Sequence, residues 1–377
     1  MPAGQEGAPN AVGDAAGAVT PAAARPQLDD RIVGCLLGGA LGDALGAPVE
    51  FMLLPKIRET YGRSGIRKLE PAHGPPGAFT DDTQMTLFTA EGLLREVVRR
   101  GEGHPPALAA SLHGAYLRWL VTQGKEPPDA PAFARDGWLL GLANLHDRRG
   151  PGHTCLNALR ATVRLGEPAR NSSKGCGGVM RAAPSGFLAQ LAGDEPYPAF
   201  AIGALGAGLT HGHPTGRLAA GHLAETIAAL AAGASLDEAL DRAEQALRAH
   251  PGHGEVAQCV GDARKLRPAR QVPGVLGEGW VAEEALAIAV WCVRTASDPV
   301  AALRLAVNHD GDSDSTGGIA GQLLGAWLGT GWLPRAWLRQ LELRDQIETI
   351  GRDLAVAATQ AHGEAMGRLR ERYPPTQ

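Results

Sequence analysis

Two short acidic stretches hold the residue types best suited to chemistry in this chain. "FTDDTQMT" sets Thr80, Asp81 and Asp82 side by side, and "NHDGDSDSTGG" sets Asp310, Asp312 and Asp314 on alternate positions ahead of Ser315. Each stretch leads into an apolar helical pattern, so each has a local explanation: Asp81 caps one helix with Gln84 three residues on, and Asp314 or Ser315 caps the other. That explanation leaves carboxylates over. Asp81, Asp82, Asp312 and Asp314, with the hydroxyls of Thr80 and Ser315, are hard oxygen donors, which suit magnesium, manganese or calcium and select poorly for zinc or copper. If the two turns meet, four carboxylate charges match two divalent cations, and a pair roughly 3.5–4 Å apart would orient substrate hydroxyls and activate water. Without cations such a cluster repels itself.

Three further stretches could join them. In "NSSKGCGGVMRAAPSGFL", Gly175, Gly177 and Gly178 run towards a predicted helix, and amides exposed by a glycine turn at a helix start suit phosphates. The Walker spacing is missing and no strand precedes the glycines, so neither nucleotide fingerprint applies, and a plain loop is the simpler reading. "GLTHGHPTGRLAA" places His211 and His213 before another helix; the pair could bind a transition metal, although loop histidines more often serve as hydrogen-bonding side chains. Glu50 lies seven residues beyond Asp43, past a helix-breaking Pro48, and by itself reads as a surface acid on a loop.

The elements that must position these residues read as helices. "ALAASLHGAYLRWLVTQG", "GRLAAGHLAETIAALAAG", "SLDEALDRAEQALRAH" and "VAEEALAIAVWCVRTA" carry apolar residues at three- and four-residue spacing, and alternating β-branched runs are nearly absent. Ser235 with Glu238 makes a capping box, and Asp298-Pro299 is a cap followed by proline at the first helical position. The helix starting at Pro299 should end near Asn308 and the next should begin at Ser315 or Thr316, leaving Asp310, Asp312 and Asp314 on the loop between them. Two glycine ladders, Gly34/Gly38/Gly42/Gly46 and Gly317/Gly321/Gly325/Gly329, repeat every fourth residue on a helix face. Each helical glycine costs roughly 1 kcal/mol against alanine, so the ladders imply close approach of another backbone. The expectation is an all-α fold: residues 30–372 form one compact domain of many short helices, preceded by an Ala/Gly/Pro-rich disordered tail over residues 1–29. The segment 250–280 offers no functional signal.

Composition excludes several classes. At 377 residues with 44% apolar side chains the chain can build a full core. The net charge of −4, with no basic run interleaved with aromatics, argues against nucleic acid. The five cysteines are scattered and never in CxxC spacing, which fits a reducing cytoplasm. No secretory signal is visible at the N-terminus, and Asp43 interrupts the apolar run from Ile32 well short of the roughly 20 residues a spanning helix needs, so no membrane association is expected.

The ordered set "GCLLGGALGDALGAPVEF", "FTDDTQMT", "KGCGGVMRAAP", "LTHGHPTGRLAA" and "NHDGDSDSTGGIAGQLLGAWLG" resembles the ADP-ribosylglycohydrolase family, over about residues 31–330. The resemblance implies an all-α fold, a dinuclear magnesium or manganese site, and hydrolysis of the bond linking ADP-ribose to arginine, serine or another acceptor, on a protein or a small compound. It assigns Thr80, Asp81 and Asp82 to one half of the metal site and Asp312, Asp314 and Ser315 to the other. Glu50 matches a mobile glutamate near the metals, Ser173 through Gly178 (with Gly175, Cys176 and Gly177) the loop that holds the diphosphate and distal ribose, and His211 a histidine near the nucleotide. The proton acceptor for water is left open among Glu50, Asp81, Asp82 and Asp314. Two departures stand out: many relatives have Gly-Asn-Gly where this chain has Gly175-Cys176-Gly177, and Ser173 stands where the nitrogenase-linked members have an acid. Asp310 falls outside the metal pattern. Because the family includes a lens crystallin, a non-catalytic ADP-ribose-binding or structural role is the alternative, and a magnesium-dependent phosphohydrolase acting on the diphosphate is a third reading.

Overall fold

The helix Leu28–Gly46 is buried along almost its whole length, from Arg31 onward, and sequence position by sequence position it meets the helix Ser313–Leu328. Gly34 faces Gly325, Gly38 faces Gly321, Gly42 faces Gly317 and Gly46 faces Ser313, an order that makes the pair antiparallel. A Cβ on Gly42 would strike the Gly317 carbonyl, and one on Gly321 the Gly38 carbonyl. The ladders thus serve the close backbone approach their spacing implies. The last rung, Gly329, lies past the helix end as its C-cap, at φ 69°.

This is a computed structural model describing residues 26–126, 133, 135–188, 198–359 and 363–375. The tail expected over residues 1–29 lies outside the described residues up to residue 25, and the first helix starts at Leu28, two residues before the expected domain boundary. Among the described residues there are sixteen α-helices and no strand beyond an isolated bridge between Gly175 and Val281, so the all-α expectation holds. No described helix is long and apolar enough to cross a membrane. The five cysteines are free thiols.

Around the glycine-paired helices, the helix Asp81–Gly101 is held to Leu108–Thr122 by a buried carboxylate. Glu91 accepts from Arg118 Nε at 2.9 Å and from Arg95 Nε at 3.1 Å, with all three side chains fully buried. Burying so many charges is tolerable only because they are paired. The capping box at Ser235 and Glu238 forms, and Asp298 caps the helix Pro299–Val307 by accepting from Ala301 N at 2.8 Å.

Three local expectations are corrected. Thr80 rather than Asp81 is the N-cap of its helix, its hydroxyl accepting from Asp82 N at 3.3 Å, while Gln84 Oε1 is taken by the Trp119 indole and Gln123. The helix expected to begin at Ser315 or Thr316 begins at Ser313, with Asp312 as its cap, so Asp314 lies in its first turn and not on the loop. The glycine stretch forms a single 3-10 turn, Cys176–Gly178, instead of opening a long helix.

Candidate active site

Both acidic turns hang from the first helix. Asp43, inside it, accepts from Thr80 N and Thr83 N at 2.9 Å each and from the Thr83 hydroxyl at 2.5 Å, which pins the start of the helix Asp81–Gly101. The glycine ladder sets Ser313 level with Gly46, four residues before Glu50. The two turns therefore meet: Ser315 Oγ donates to Asp82 Oδ1 at 2.8 Å, across a sequence separation of 233 residues. Asp310 does not join them; its carboxylate accepts from Leu54 N at 2.6 Å, as a loop acid should.

A cavity of about 430 Å³ opens over this junction and is lined by Glu50, Asp81, Asp82, Asp312, Asp314 and Ser315 on one side. Gly175, Cys176, Gly177 and His211 line it too, the Cys176 thiol reaching Asp312. Thr80 lies fully buried beneath it, and Gly178 is buried against Ala207. Ser173 contributes indirectly: its hydroxyl meets Thr154 Oγ1 at 3.1 Å and accepts from Gly175 N at 3.3 Å.

The acids are not at rest electrostatically. Burial, then the charge of Asp314, pushes the carboxyls of Asp81, Asp82 and Asp312 well above the usual carboxylate range, and the same two causes bring Asp43 up to about 7. Glu50 is pushed up to about 10 by burial and then by Asp314, Asp312 and Asp81. Among the described residues, no lysine or arginine is among the leading influences on these carboxyls. A dense set of buried hard-oxygen donors with no protein cation is the chemistry that fits divalent ions such as magnesium or manganese. Among the described residues no group of three or more His, Cys, Asp or Glu side chains is arranged to hold a metal ion.

Among the described residues the Glu50 carboxyl, unlike its neighbours, has no hydrogen-bond partner, although its backbone N donates to Gly46 O at 3.0 Å. Asp81 Oδ2 accepts from Gly152 N at 3.3 Å, Asp82 from Ser315, Asp314 Oδ1 from Ser315 N at 2.9 Å, and Asp312 Oδ2 from the Cys176 thiol at 2.8 Å. A Cβ added to Gly150 would lie 3.6 Å from Asp81 Oδ1 and 3.7 Å from Glu50 Oε2, so those two carboxyls face one point.

In the glycine loop, a Cβ on Gly177 would crowd the His211 ring at 3.1 Å, whereas one on Gly175 would stand in ordinary contact with it. Cys176 N donates to Trp280 O at 3.2 Å, which occupies one amide of the expected anion cradle. Beneath the loop, buried Arg181 donates to Gly177 O at 2.7 Å and to Thr210 Oγ1 at 2.6 Å. Burial and then Arg181 hold His211 down to about 3, so the ring is neutral. Thr210 Oγ1 meets His211 Nδ1 at 2.8 Å and also lies 3.4 Å from Ala207 O, while the His211 Nε2 edge faces the glycine loop. His213 is no partner to it: its Nδ1 caps the helix Pro214–Ala231 by accepting from Thr215 N at 3.2 Å.

Sequence reasoning missed Asp43, Phe51, the Gly150–Gly152 loop, Arg181 and Trp280. Trp280 also corrects the expectation that segment 250–280 carries no functional signal, since it lines the cavity. Its signal was a tryptophan in a glycine-rich turn, "GEGW", and Phe51's was its place beside Glu50.

Residues 24–364 match the family model for ADP-ribosylglycohydrolase. The chain belongs to that family, and so is a hydrolase of ADP-ribosyl linkages. Among ADP-ribosylglycohydrolase relatives, it is 26% identical to the ADP-ribosyl-[dinitrogen reductase] glycohydrolase of Rhodospirillum rubrum over 86% of this chain and 94% of the relative. It is 26% identical to the ADP-ribosylhydrolase ARH3 of Mus musculus over 86% and 90% of the two chains. A solved ADP-ribosylglycohydrolase-related protein complex superposes with a TM-score of 0.65 at 29% identity, covering 88% of this chain and 99% of the other.

Proposed function

We propose that this glycohydrolase removes ADP-ribose from an acceptor, a protein side chain or a small ADP-ribosyl compound, at a site for two divalent cations. The observation that carries this reading is the Ser315–Asp82 contact at 2.8 Å, which joins the two acidic turns in one cavity facing the glycine loop. Thr80, Asp81 and Asp82 would hold one side of a magnesium or manganese pair and Asp312, Asp314 and Ser315 the other. Such ions, when bound, supply positive charge to orient the distal ribose hydroxyls and to acidify water.

The chain's own residues do the rest. The loop from Ser173 to Gly178 receives the diphosphate, with the neutral His211 ring beside it. Cleavage builds oxocarbenium character at the ribose C1″, as in other glycosyl transfers. Of the acids able to take a proton from the attacking water, Glu50 is the one with no hydrogen bond to break; Asp81, which faces the same point, is next. Burial and neighbouring negative charge hold the Glu50 proton, and positive charge at the acidic turns would release it.

The test is incubation with peptides bearing ADP-ribose on arginine, serine or glutamate, with magnesium or with chelator, and mass spectrometry of the products. Intact ADP-ribose released only with the cation is the expected result. AMP with ribose phosphate would make the protein a phosphohydrolase, and tight ADP-ribose binding without release from any acceptor would make it a binder.

A further inference from the structure

The chain carries a net charge of −4, yet one groove outside the active-site cavity is lined by arginine. It has a volume of about 910 Å³ and lies between the loop after the helix Leu54–Tyr61, the loop after the helix Gly254–Lys265, and the helix Pro299–Val307. Arg67, Arg267, Arg270 and Arg304 line it against one carboxylate, Asp298, which is engaged as a helix cap by Ala301 N at 2.8 Å. Among the described residues no ion pair ties down any of the four. Arg304 is held in place, its Nε donating to Arg67 O at 3.2 Å and its guanidinium 5.7 Å from the Trp337 ring centroid. Burial and then Arg67 hold that guanidinium below the usual arginine range, with Asp298 opposing them. Like charges gathered this way repel one another unless an anion joins them.

The lining discriminates among anions. Guanidinium forks on three separate segments suit carboxylates or phosphates spread along a chain. No aromatic ring lines the groove, so it lacks the stacking platform on which single-stranded nucleic acid relies, and Asp298 opposes closely spaced phosphates. The side-chain carboxylates of a polypeptide meet neither obstacle. The groove also shares chain segments with the active site. Asn308 lines the groove and Asp312 the active-site cavity, and four residues of chain hold their Cα atoms within about 14 Å. The segment from Arg267 to Trp280 likewise borders both, and within it Gln271 accepts from Arg58 at 3.3 Å. About five residues of extended polypeptide span the same distance.

We propose that this groove docks an acidic segment of the protein that carries the ADP-ribose, and so selects substrates by the carboxylates flanking the modified residue. Docking of this kind presupposes the hydrolase reading with a protein acceptor, and the experiment separates the two. Fluorescence anisotropy with the full chain first compares a labelled peptide bearing a run of glutamates, without ADP-ribose, with the same peptide bearing glutamines. The glutamate peptide should bind about fivefold or more tightly, and the advantage should fade as salt is raised to about 0.5 M. The same two peptides, ADP-ribosylated and given magnesium, should show the same order in kcat/KM, chiefly through KM. Arg267→Glu combined with Arg270→Glu should abolish both preferences, with turnover of the glutamine peptide and inhibition by free ADP-ribose at wild-type values. Arg267→Lys with Arg270→Lys keeps the charge and should retain most of the preference. Equal binding of the two unmodified peptides, a preference that survives charge reversal, or tighter binding of a single-stranded oligonucleotide overturns the proposal and leaves the hydrolase reading standing. So does a preference in binding that is missing from kcat/KM. Cleavage of no ADP-ribosylated peptide overturns both.

Discussion

Glu50 and Asp312 line the same cavity yet are held in opposite ways. The Glu50 carboxyl has no hydrogen-bond partner among the described residues, and burial and neighbouring charge favour its protonated form; Asp312 caps a helix and accepts from the Cys176 thiol. If Glu50 accepts a proton from water, Glu50→Gln preserves its shape and removes only that capacity. Its kcat should fall by about 10²–10⁴-fold, the usual worth of a positioned base, with little change in KM by steady-state kinetics. Asp312→Asn tests the cation site separately. Asparagine caps a helix as well as aspartate does and can still accept from the thiol, so helical circular dichroism should persist. Activity should nonetheless drop by on the order of 100-fold or more, and the rise in melting temperature on adding magnesium should vanish. Asp312 was legible in the sequence because it belongs to a cluster whose surplus charge demands an explanation, whereas Glu50 alone read as a surface acid and gained a role only through the family resemblance. Asp43 and Trp280 were not legible: each stands alone in its own segment, and only the fold shows that Asp43 holds the Thr80 and Thr83 amides or that Trp280 backs the Cys176 amide.

At the level of elements, the antiparallel glycine pair determines how far the Ser313–Leu328 helix advances along the first helix, and hence whether Ser315 reaches Asp82. The ladder was readable from its spacing, since four glycines on one face are costly without a neighbouring backbone. Helix starts were less readable: "TDDT" and "DSDS" each contain several good caps, and tertiary contacts choose among them, Asp43 fixing Thr80 as cap in one case and the ladder fixing Ser313 in the other. Gly321→Ala places a methyl against the Gly38 carbonyl, which cannot move without separating the helices. Destabilisation of about 1–3 kcal/mol or more is expected from overpacking, with a loss of activity larger than the loss of folded protein explains. Gly261→Ala is the contrasting case. It lies in the helix Gly254–Lys265 with nothing within 4 Å of its added Cβ, and should stabilise by about 0.5–1 kcal/mol in thermal or urea unfolding.

Across the whole molecule, two sets of buried ionisable groups pull stability in opposite directions with pH. Burial holds His113 down to about 4 and His222 down to about 3. The unfolded chain takes up protons below about 6.5 that these folded histidines refuse, so stability falls as the pH drops below that value. Glu50, held up to about 10, and Asp43, at about 7, behave the other way. Folded, they keep protons the unfolded chain has already released, so stability falls as pH rises through the interval between the two states' pKa values. That the fold is all-α was legible from helical periodicity; this conflict was not, because it depends on how deeply each group is buried. Between pH 6.5 and 8.5 the folded histidines are neutral and the unfolded ones shed only their remaining half charge, so the carboxyls dominate, at up to about 1.4 kcal/mol per pH unit for each retained proton. The chelated protein should therefore melt several degrees lower at pH 8.5 than at pH 6.5. Divalent cations favour the ionised carboxylates in the folded state, and at a concentration 100 times the Kd add about 2.7 kcal/mol by mass action. The increase in melting temperature caused by magnesium should accordingly be larger at pH 8.5 than at pH 6.5, measured by calorimetry in chelator and in excess cation. An equal increase at both values would place the bound cation away from the acidic turns.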